Sequence, residues 1–263
     1  MSHRMDGFAV FLKKELREAW RTGRLPVVAL IFLAFGLISP LTAKYLPDIL
    51  RAAGATGQLQ IAFPTPTASD AVDQFLKNVG GNGIFAAILL AMGMVAREKE
   101  RGTAAFVLTK PLTRQAFLAA KLAALLVTLG VGVLVAAIAD YIYTALLFKP
   151  LPVAGFIAAA ALILLLLLVY GAVTFLASVL LPSALPAAAV GLASLVVFAV
   201  LAALPNVARF TPPGLNEPAR ALALGAAPPH LAASVLANAA IVAAMLVLAW
   251  LAFRRQELIS AAS

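Results

Sequence analysis

The chain of 263 residues contains no cysteine. That excludes a disulfide framework, a thiolate nucleophile and a thiolate-held zinc or iron–sulfur centre, although it does not fix the redox compartment. Histidine is almost missing as well. His3 lies near the terminus and His230 in a proline-rich stretch, which leaves little for imidazole catalysis or metal ligation. Charge is scarce: Asp, Glu, Lys and Arg supply 12% of the residues, about half the share of a soluble domain, whereas 63% are hydrophobic. The mean hydropathy is +1.01. A soluble globular domain, a disordered tail and a coiled coil are all excluded. Acids are the scarcer sign, 11 against 20 Lys and Arg, for a net charge of +9. In a soluble protein that excess points to nucleic acid. In a membrane chain it is first a topology signal, because Lys and Arg collect on the cytoplasmic side.

What the chain has instead is long apolar runs. A spanning helix needs about 20 mostly apolar residues. Six segments qualify: 25–43, 81–96, 117–148, 153–181, 184–204 and 231–253. The second is short, but Val72, Phe75, Leu76 and Val79 extend its helical pattern backwards, with Ser69 or Asp70 as the N-cap. Outside lie 44–80 and the proline-rich 205–230, where short helices are expected to dip towards the bilayer around Ala219 to Leu224. The runs are continuous and about twice as long as the alternating strands of an outer-membrane barrel, which excludes that architecture. The first run exceeds the usual apolar core of a cleaved signal peptide and is read as a span.

Charge sets the orientation. With the N-terminus inside, the inward segments hold fourteen Lys and Arg and the outward segments six. Both termini are therefore expected in the cytoplasm, and most of the excess charge needs no nucleic acid. The expected fold is an all-α polytopic membrane protein with six transmembrane helices in one domain over residues 1–263.

An amphipathic helix precedes the first span. Phe8, Phe11, Leu12, Leu16, Ala19 and Trp20 share one face, and Lys13, Lys14, Arg17 and Glu18 occupy much of the rest. Such a helix lies in the membrane interface. Gly23 and Pro26 end it and turn the chain into the first span. Residues 97–121 form the main cytoplasmic connection. A charge cluster from Arg97 to Arg101 is followed by Gly102 and Thr103, where Thr103 is placed to cap a short helix over 104–108. Pro111 stops that helix, and Thr113 is placed to cap the next. A connection of two to eight residues would suffice, so the extra length suggests a docking surface, with a plain solvated loop as the alternative.

These residues resemble a known pattern. EKERGTAAFVLTKPLTRQAFLAAK is similar to the cytoplasmic signature of ABC-2-type ABC transporter permeases, roughly E-x-E-x-G-T followed by a Pro-(Leu/Val)-(Ser/Thr)-Arg turn and a Lys. Glu98, Glu100, Gly102, Thr103, Pro111, Leu112, Thr113, Arg114 and Lys121 carry it here. FLKKELREAWRTGR resembles the family's interfacial elbow helix over residues 5–24, and FRRQEL its exit after the last span. The resemblance covers the whole chain and is specific for the family but not for a subfamily. It implies a permease subunit, chiefly an exporter, that pairs with a second copy or a related subunit in the plasma membrane of a prokaryote. Two separate ATP-binding subunits would dock beneath. Glu98, Glu100, Gly102, Thr103, Pro111, Thr113 and Arg114 would be the ATPase-coupling residues. ATP and Mg would belong to those partners, since this chain has no G-x-x-x-x-G-K-[ST] and Gly54 to Gly57 lack the Lys. The chain itself is expected to bind no cofactor or metal and to be no enzyme.

Polar residues within spans are functional suspects, although many only join helices. Tyr170, Thr174 and Ser178 recur every four residues on one face of the fourth span, and Ser234 and Asn238 make a similar pair in the sixth. Tyr170, Thr174, Ser178 and Asn238 are candidate pathway-lining residues, with packing the favoured alternative. Gly130, Gly132, Gly191 and Ser194 read as close-approach sites. Asp140 is the sole acid in a span. Nineteen residues beyond Lys121, it lies about 28 Å across the bilayer, beside Tyr141 and Tyr143, which suit an aromatic belt. Asp140 and Tyr141 are therefore candidate outer-gate residues.

Three other classes were weighed. A secondary transporter is disfavoured by the lack of a clear internal repeat and of a central charge. An intramembrane enzyme is disfavoured by the lack of H-E-x-x-H and of paired intramembrane aspartates. A non-transporting signalling or scaffold subunit with the same architecture is not excluded by the sequence.

Overall fold

The computed structural model describes residues 2–52, 65–100 and 114–255, and every regular element among them is helical. In chain order these are α1 (Ser2–Arg21), α2 (Arg24–Ala52), α3 (Ala68–Phe75), a π-helical stretch (Leu76–Asn82), α4 (Gly83–Ala91), α5 (Ala96–Glu100), α6 (Arg114–Leu147), α7 (Val153–Leu180), α8 (Ala184–Ala202), two short 3-10 turns (Ala208–Phe210 and Pro212–Leu215), α9 (Asn216–Ala223) and α10 (Leu231–Arg255). Among the described residues six helical stretches are long and apolar enough to cross a membrane: Arg24–Ile49, Ala68–Glu100, Gln115–Leu147, Val153–Leu180, Ala184–Ala202 and Leu231–Arg255.

Two boundaries differ from the sequence reading. The second span begins at Ala68: the backward extension through Val72, Phe75, Leu76 and Val79 holds, whereas the start drawn at 81 and the outer segment drawn over 44–80 do not. Its N-cap is Thr67, not Ser69 or Asp70. The Asp70 carboxylate accepts hydrogen bonds from the Thr67 N–H (2.7 Å) and hydroxyl (2.8 Å), so Asp70 serves the cap from the third helical position. The first helix runs on past 43 to Ala52 through Pro40 and Pro47. Each proline removes a donor to the carbonyl four residues back, which a helix tolerates where neighbours support it.

The first and third spans run side by side in the same direction. Phe32 packs over Gly132, and Gly36 lies so close to α6 that a Cβ there would stand 2.3 Å from the Ala136 carbonyl oxygen. Further along, the Lys44 ammonium donates to the Leu147 carbonyl. Gly191 is similarly pressed against Thr174 and Ile88, whereas Gly130 meets only Leu164 at 3.9 Å.

Three phenylalanines gather one end of the bundle. Phe11 of α1 lies 5.4 Å from Phe117 at the start of α6, and Phe117 stacks on Phe253 at the end of α10, 5.6 Å away with planes 8° apart. Part of the apolar face of α1 is thus covered by the chain itself, while Trp20 stays 64% exposed. Gly23, with φ +77°, makes the turn from α1 into α2.

At the opposite end the segment between α8 and α10 is folded against the bundle. Its helix lies at Asn216–Ala223 and buries Pro218, Ala219 and Ala223. It sits so tightly on α7 that a Cβ on Gly155 would stand 2.0 Å from the Leu222 carbonyl oxygen. The Arg220 guanidinium donates to Asp73 and Ser69, both at 2.6 Å, tying α9 to α3. The Asn238 amide donates to the Thr211 carbonyl (3.3 Å) and the Ser234 carbonyl (2.9 Å). The Thr211 contact anchors this segment to α10, while 203–207 stays exposed.

Candidate functional site

The site lies at the Phe11–Phe117–Phe253 end, where the second span stops just before residues 101–113. Between Met92 and Val95 the helix gives way to turns and restarts as α5, a single turn. A new helix start exposes backbone N–H groups that need acceptors. Ser178 of α7 supplies one: its Oγ stands 3.0 Å from both the Val95 and the Ala96 N–H. Ser178 is wholly buried.

The three residues that end α5 each grip a different helix. Glu98 Oε1 lies 2.7 Å from the Lys121 ammonium of α6. The Lys99 ammonium donates to the Val179 carbonyl at the C-terminal end of α7. Glu100 Oε1 accepts from the Ala184 N–H, 3.0 Å away, at the first turn of α8. The signs match the helix ends: a cation meets exposed carbonyls at a C-terminus, and a carboxylate meets free N–H groups at an N-terminus. The α7–α8 turn is sharp because Pro182 and Ser183 interrupt the helix, so its two helix ends lie within reach of one short segment.

Lys121 is the centre of the arrangement. Only 3% of it is exposed. Besides Glu98, both Glu15 carboxylate oxygens of α1 stand 3.4 Å from its ammonium. The cation also lies 5.0 Å from the Phe117 ring centroid and 6.0 Å from that of Phe11. Two carboxylates and two ring faces compensate the desolvation of a buried ammonium. On the far side Lys14 bridges Glu15 (3.1 Å) and Glu18 (3.2 Å). Burial pulls the Lys14 pKa down, but the two carboxylates outweigh it and hold the value above the ordinary one. The Glu18 carboxyl is held below its ordinary value: burial opposes this, and Lys14 prevails with help from Lys121 and Arg24. A cavity of about 20 Å³ lies against Glu15, Arg24, Met94 and Thr128, large enough for one water.

A second feature opens nearby. Leu118 and Leu122 of α6, Phe175 of α7, and Leu246 and Trp250 of α10 line an apolar groove of about 330 Å³. Arg254 sits 5.7 Å from the Trp250 ring.

The sequence-predicted residues divide as follows. Glu98, Glu100 and Lys121 meet at the junction. Arg114 is the first residue of α6, and its side chain lies outside the described residues, as do Gly102, Thr103, Pro111, Leu112 and Thr113 and the helix expected over 104–108. Tyr170, Thr174, Ser178 and Asn238 are all buried and line neither the cavity nor the groove above. The Thr174 hydroxyl donates to the Tyr170 carbonyl, and Tyr170 meets Phe198 edge-on at 5.5 Å. Asp140 is wholly buried on α6, with the Thr144 hydroxyl donating to it at 3.4 Å. Tyr141 donates to the Leu151 carbonyl at 3.1 Å. Glu15, Lys99 and the capping role of Ser178 were not foreseen. Glu15 carried a readable signal, since it is an acid on the same side of α1 as Phe8, Phe11, Leu12 and Ala19. Lys99 gave none, since its partner is a backbone carbonyl.

Comparison with known proteins agrees with this architecture. An uncharacterized transmembrane protein, YxlG of Bacillus subtilis (strain 168), is 29% identical over 118 residues, which is 44% of this chain and 46% of the relative. The chain thus matches about half the length of that curated relative. The model of the ABC-2 family transporter proteins matches residues 9–258, nearly the whole chain, and the six-span protein described here belongs to that family.

Proposed function

We propose that this chain is the membrane-spanning permease subunit of an ATP-driven exporter in a prokaryotic plasma membrane. Both termini face the cytoplasm, two such subunits pair, and two separate ATP-binding subunits dock under the 97–116 segment. ATP and Mg are held by those subunits. The fourteen-to-six distribution of Lys and Arg supports the orientation. The E-x-E junction supports the coupling. Residues 98–100 lie in that segment, and their side chains reach α6, α7 and α8 separately. A force on the segment therefore reaches three spans at once, and a fourth element, α1, through the Lys121–Glu15 contact. Ion pairs and cap bonds of this kind break and reform between discrete arrangements, as a switching element requires.

The test is co-expression with the ATP-binding subunit encoded beside it. Expected are co-purification, ATP hydrolysis stimulated by the membrane subunit, and loss of that stimulation in Glu100→Ala with the fold retained. Failure to co-purify with any neighbouring ATP-binding subunit overturns the reading. A complex that hydrolyses ATP but moves no cargo in vesicles supports the signalling or scaffold alternative instead.

A further inference from the structure

We propose that the cationic face of α1 is a binding site for the headgroups of anionic phospholipids in the inner leaflet, a proposal that rests on the cytoplasmic placement of α1. Phe11 of this helix is turned inward against Phe117, and Glu15 against Lys121. The opposite side carries a shallow groove of about 610 Å³ lined by Val10, Lys13, Lys14, Arg17, Glu18 and Arg21. Lys14 is occupied by Glu15 and Glu18. Lys13, Arg17 and Arg21 make no ion pair among the described residues. Their spacing of four residues sets them in a row about 12 Å long on one helix face. A guanidinium fork fits phosphate oxygens in pairs, so Arg17 and Arg21 suit a phosphodiester better than a simple counter-ion.

Two observations select a lipid over a soluble anion or an acidic protein. First, apolar side chains stand out of the same helix beside the cations: Val10 is 70% exposed and Trp20 64%. Cations flanked by exposed aliphatic and indole groups match the boundary between headgroups and acyl chains. Secondly, α2 begins only three residues after Arg21, and the first apolar residue of that span is Leu25. With so short a tether the cationic row stays at the membrane surface, where an anionic leaflet offers its phosphates. Glu15, on the opposite side of this helix, touches Lys121, so the charge of the leaflet bears on the helix that braces the coupling junction.

The test uses the full chain in vesicles. Trp20 and Trp250 are its two tryptophans, so Trp250→Phe leaves Trp20 as sole reporter. Brominated phosphatidylglycerol or brominated phosphatidylcholine is titrated into dioleoylphosphatidylcholine, with the quencher in both leaflets. Each contacting cation contributes on the order of five-fold to binding at a membrane surface. The expected result is a phosphatidylglycerol-over-phosphatidylcholine binding ratio of at least about five at Trp20 in low salt. It should fall towards one at about 0.5 M salt, where screening is short-ranged. It should also fall towards one in the triple variant Lys13→Gln, Arg17→Gln, Arg21→Gln. Equal quenching by the two lipids overturns the proposal, as does an undiminished ratio in the triple variant. The salt arm uses unsubstituted α1 cations, so a folding defect of the variant does not decide the matter. Because the quencher occupies both leaflets, the result is independent of orientation. The cytoplasmic placement is tested apart, by comparing thiol labelling of Thr22→Cys and Asn206→Cys in this cysteine-free chain, both positions being exposed.

Discussion

Glu98 and Lys121 meet at 2.7 Å from opposite sides of residues 101–113, the one on the turn that leads into that segment and the other on the first turns of the helix that leads out. The two ends of the proposed docking segment are therefore joined at a buried ion pair. A displacement of the segment does not end in the flexing of two separate chains. It bears on one ammonium, and through Glu15 on α1 as well.

Removing that ammonium should be costly. Lys121→Met takes the shared ammonium away from Glu98 and from Glu15, which keeps Lys14, and breaking a buried pair from one side costs about 3–5 kcal/mol. The expected outcome is a large drop in the melting temperature of the detergent-purified chain, with Lys121→Arg losing much less. In a double-mutant cycle, Glu98→Gln should be far milder in the Lys121→Met background than alone. Additive effects would show that the two groups do not share one electrostatic site.

The cap bonds at the same junction predict smaller losses. Ser178→Ala deprives the Val95 and Ala96 N–H groups of their shared acceptor. An unsatisfied buried donor costs about 1–3 kcal/mol. Glu100→Gln keeps an acceptor for the Ala184 N–H and removes only the charge, worth about 0.3–1 kcal/mol at a helix terminus. Thermal unfolding should therefore rank Ser178→Ala below Glu100→Gln. The reverse order would mean that α5 is held chiefly from its α8 side.

The spans were legible because continuous apolar runs have one stable solution in a bilayer. Asp70, Asp73, Lys77 and Asn78 interrupt the apolar run at the start of the second span, yet the helix passes through them, as the spacing of Val72, Phe75, Leu76 and Val79 suggested. Asn78 does so by donating to Ser39 Oγ on α2, a partner 39 residues away that no local pattern announces. The junction was half legible. Glu98 and Glu100 stood out by spacing, and Lys121 by position. Lys99 and Ser178 bond to backbone groups, which carry no residue signature. Ser178 fell on the polar stripe with Tyr170 and Thr174, read as a lining or, by preference, a packing face, and its partners are two N–H groups of α5.

The Arg220–Asp73 latch at the opposite end of the bundle should behave differently from the buried pair. Arg220 and Asp73 are bonded at 2.6 Å, but both are nearly half exposed. Exposed pairs contribute about 0–1 kcal/mol and are screened by salt. The Arg220 pKa is raised, first by its hydrogen bond to Asp73 and then by the charge of that carboxylate. A raised cation contributes at every pH below its unfolded value and loses that contribution only as pH climbs through the folded one. The latch is therefore insensitive to alkali in any range the protein survives. Arg220→Gln should lower the melting temperature slightly, and only at low salt. A loss comparable to that of Lys121→Met would show that α9 and α3 are held by little else.

The crossing of α2 and α6 gives the sharpest packing test. A Cβ at position 36 would lie 2.3 Å from the carbonyl oxygen of Ala136, and 2.9 Å from its carbonyl carbon and Cα. All three are backbone atoms, so no rotamer change relieves the clash and the two helices must separate. Gly36→Ala should then destabilise by about 1–3 kcal/mol, as overpacking does, despite the better helix propensity of alanine. Ala136→Gly should not rescue it, because the obstructing atoms remain when that side chain is removed. Gly81→Ala is the matched control, since nothing lies within 4 Å of a Cβ there. Thermal unfolding of the three variants and the Gly36→Ala/Ala136→Gly double variant decides the point. Full rescue by Ala136→Gly would mean that side chains, not backbones, set the distance between the first and third spans.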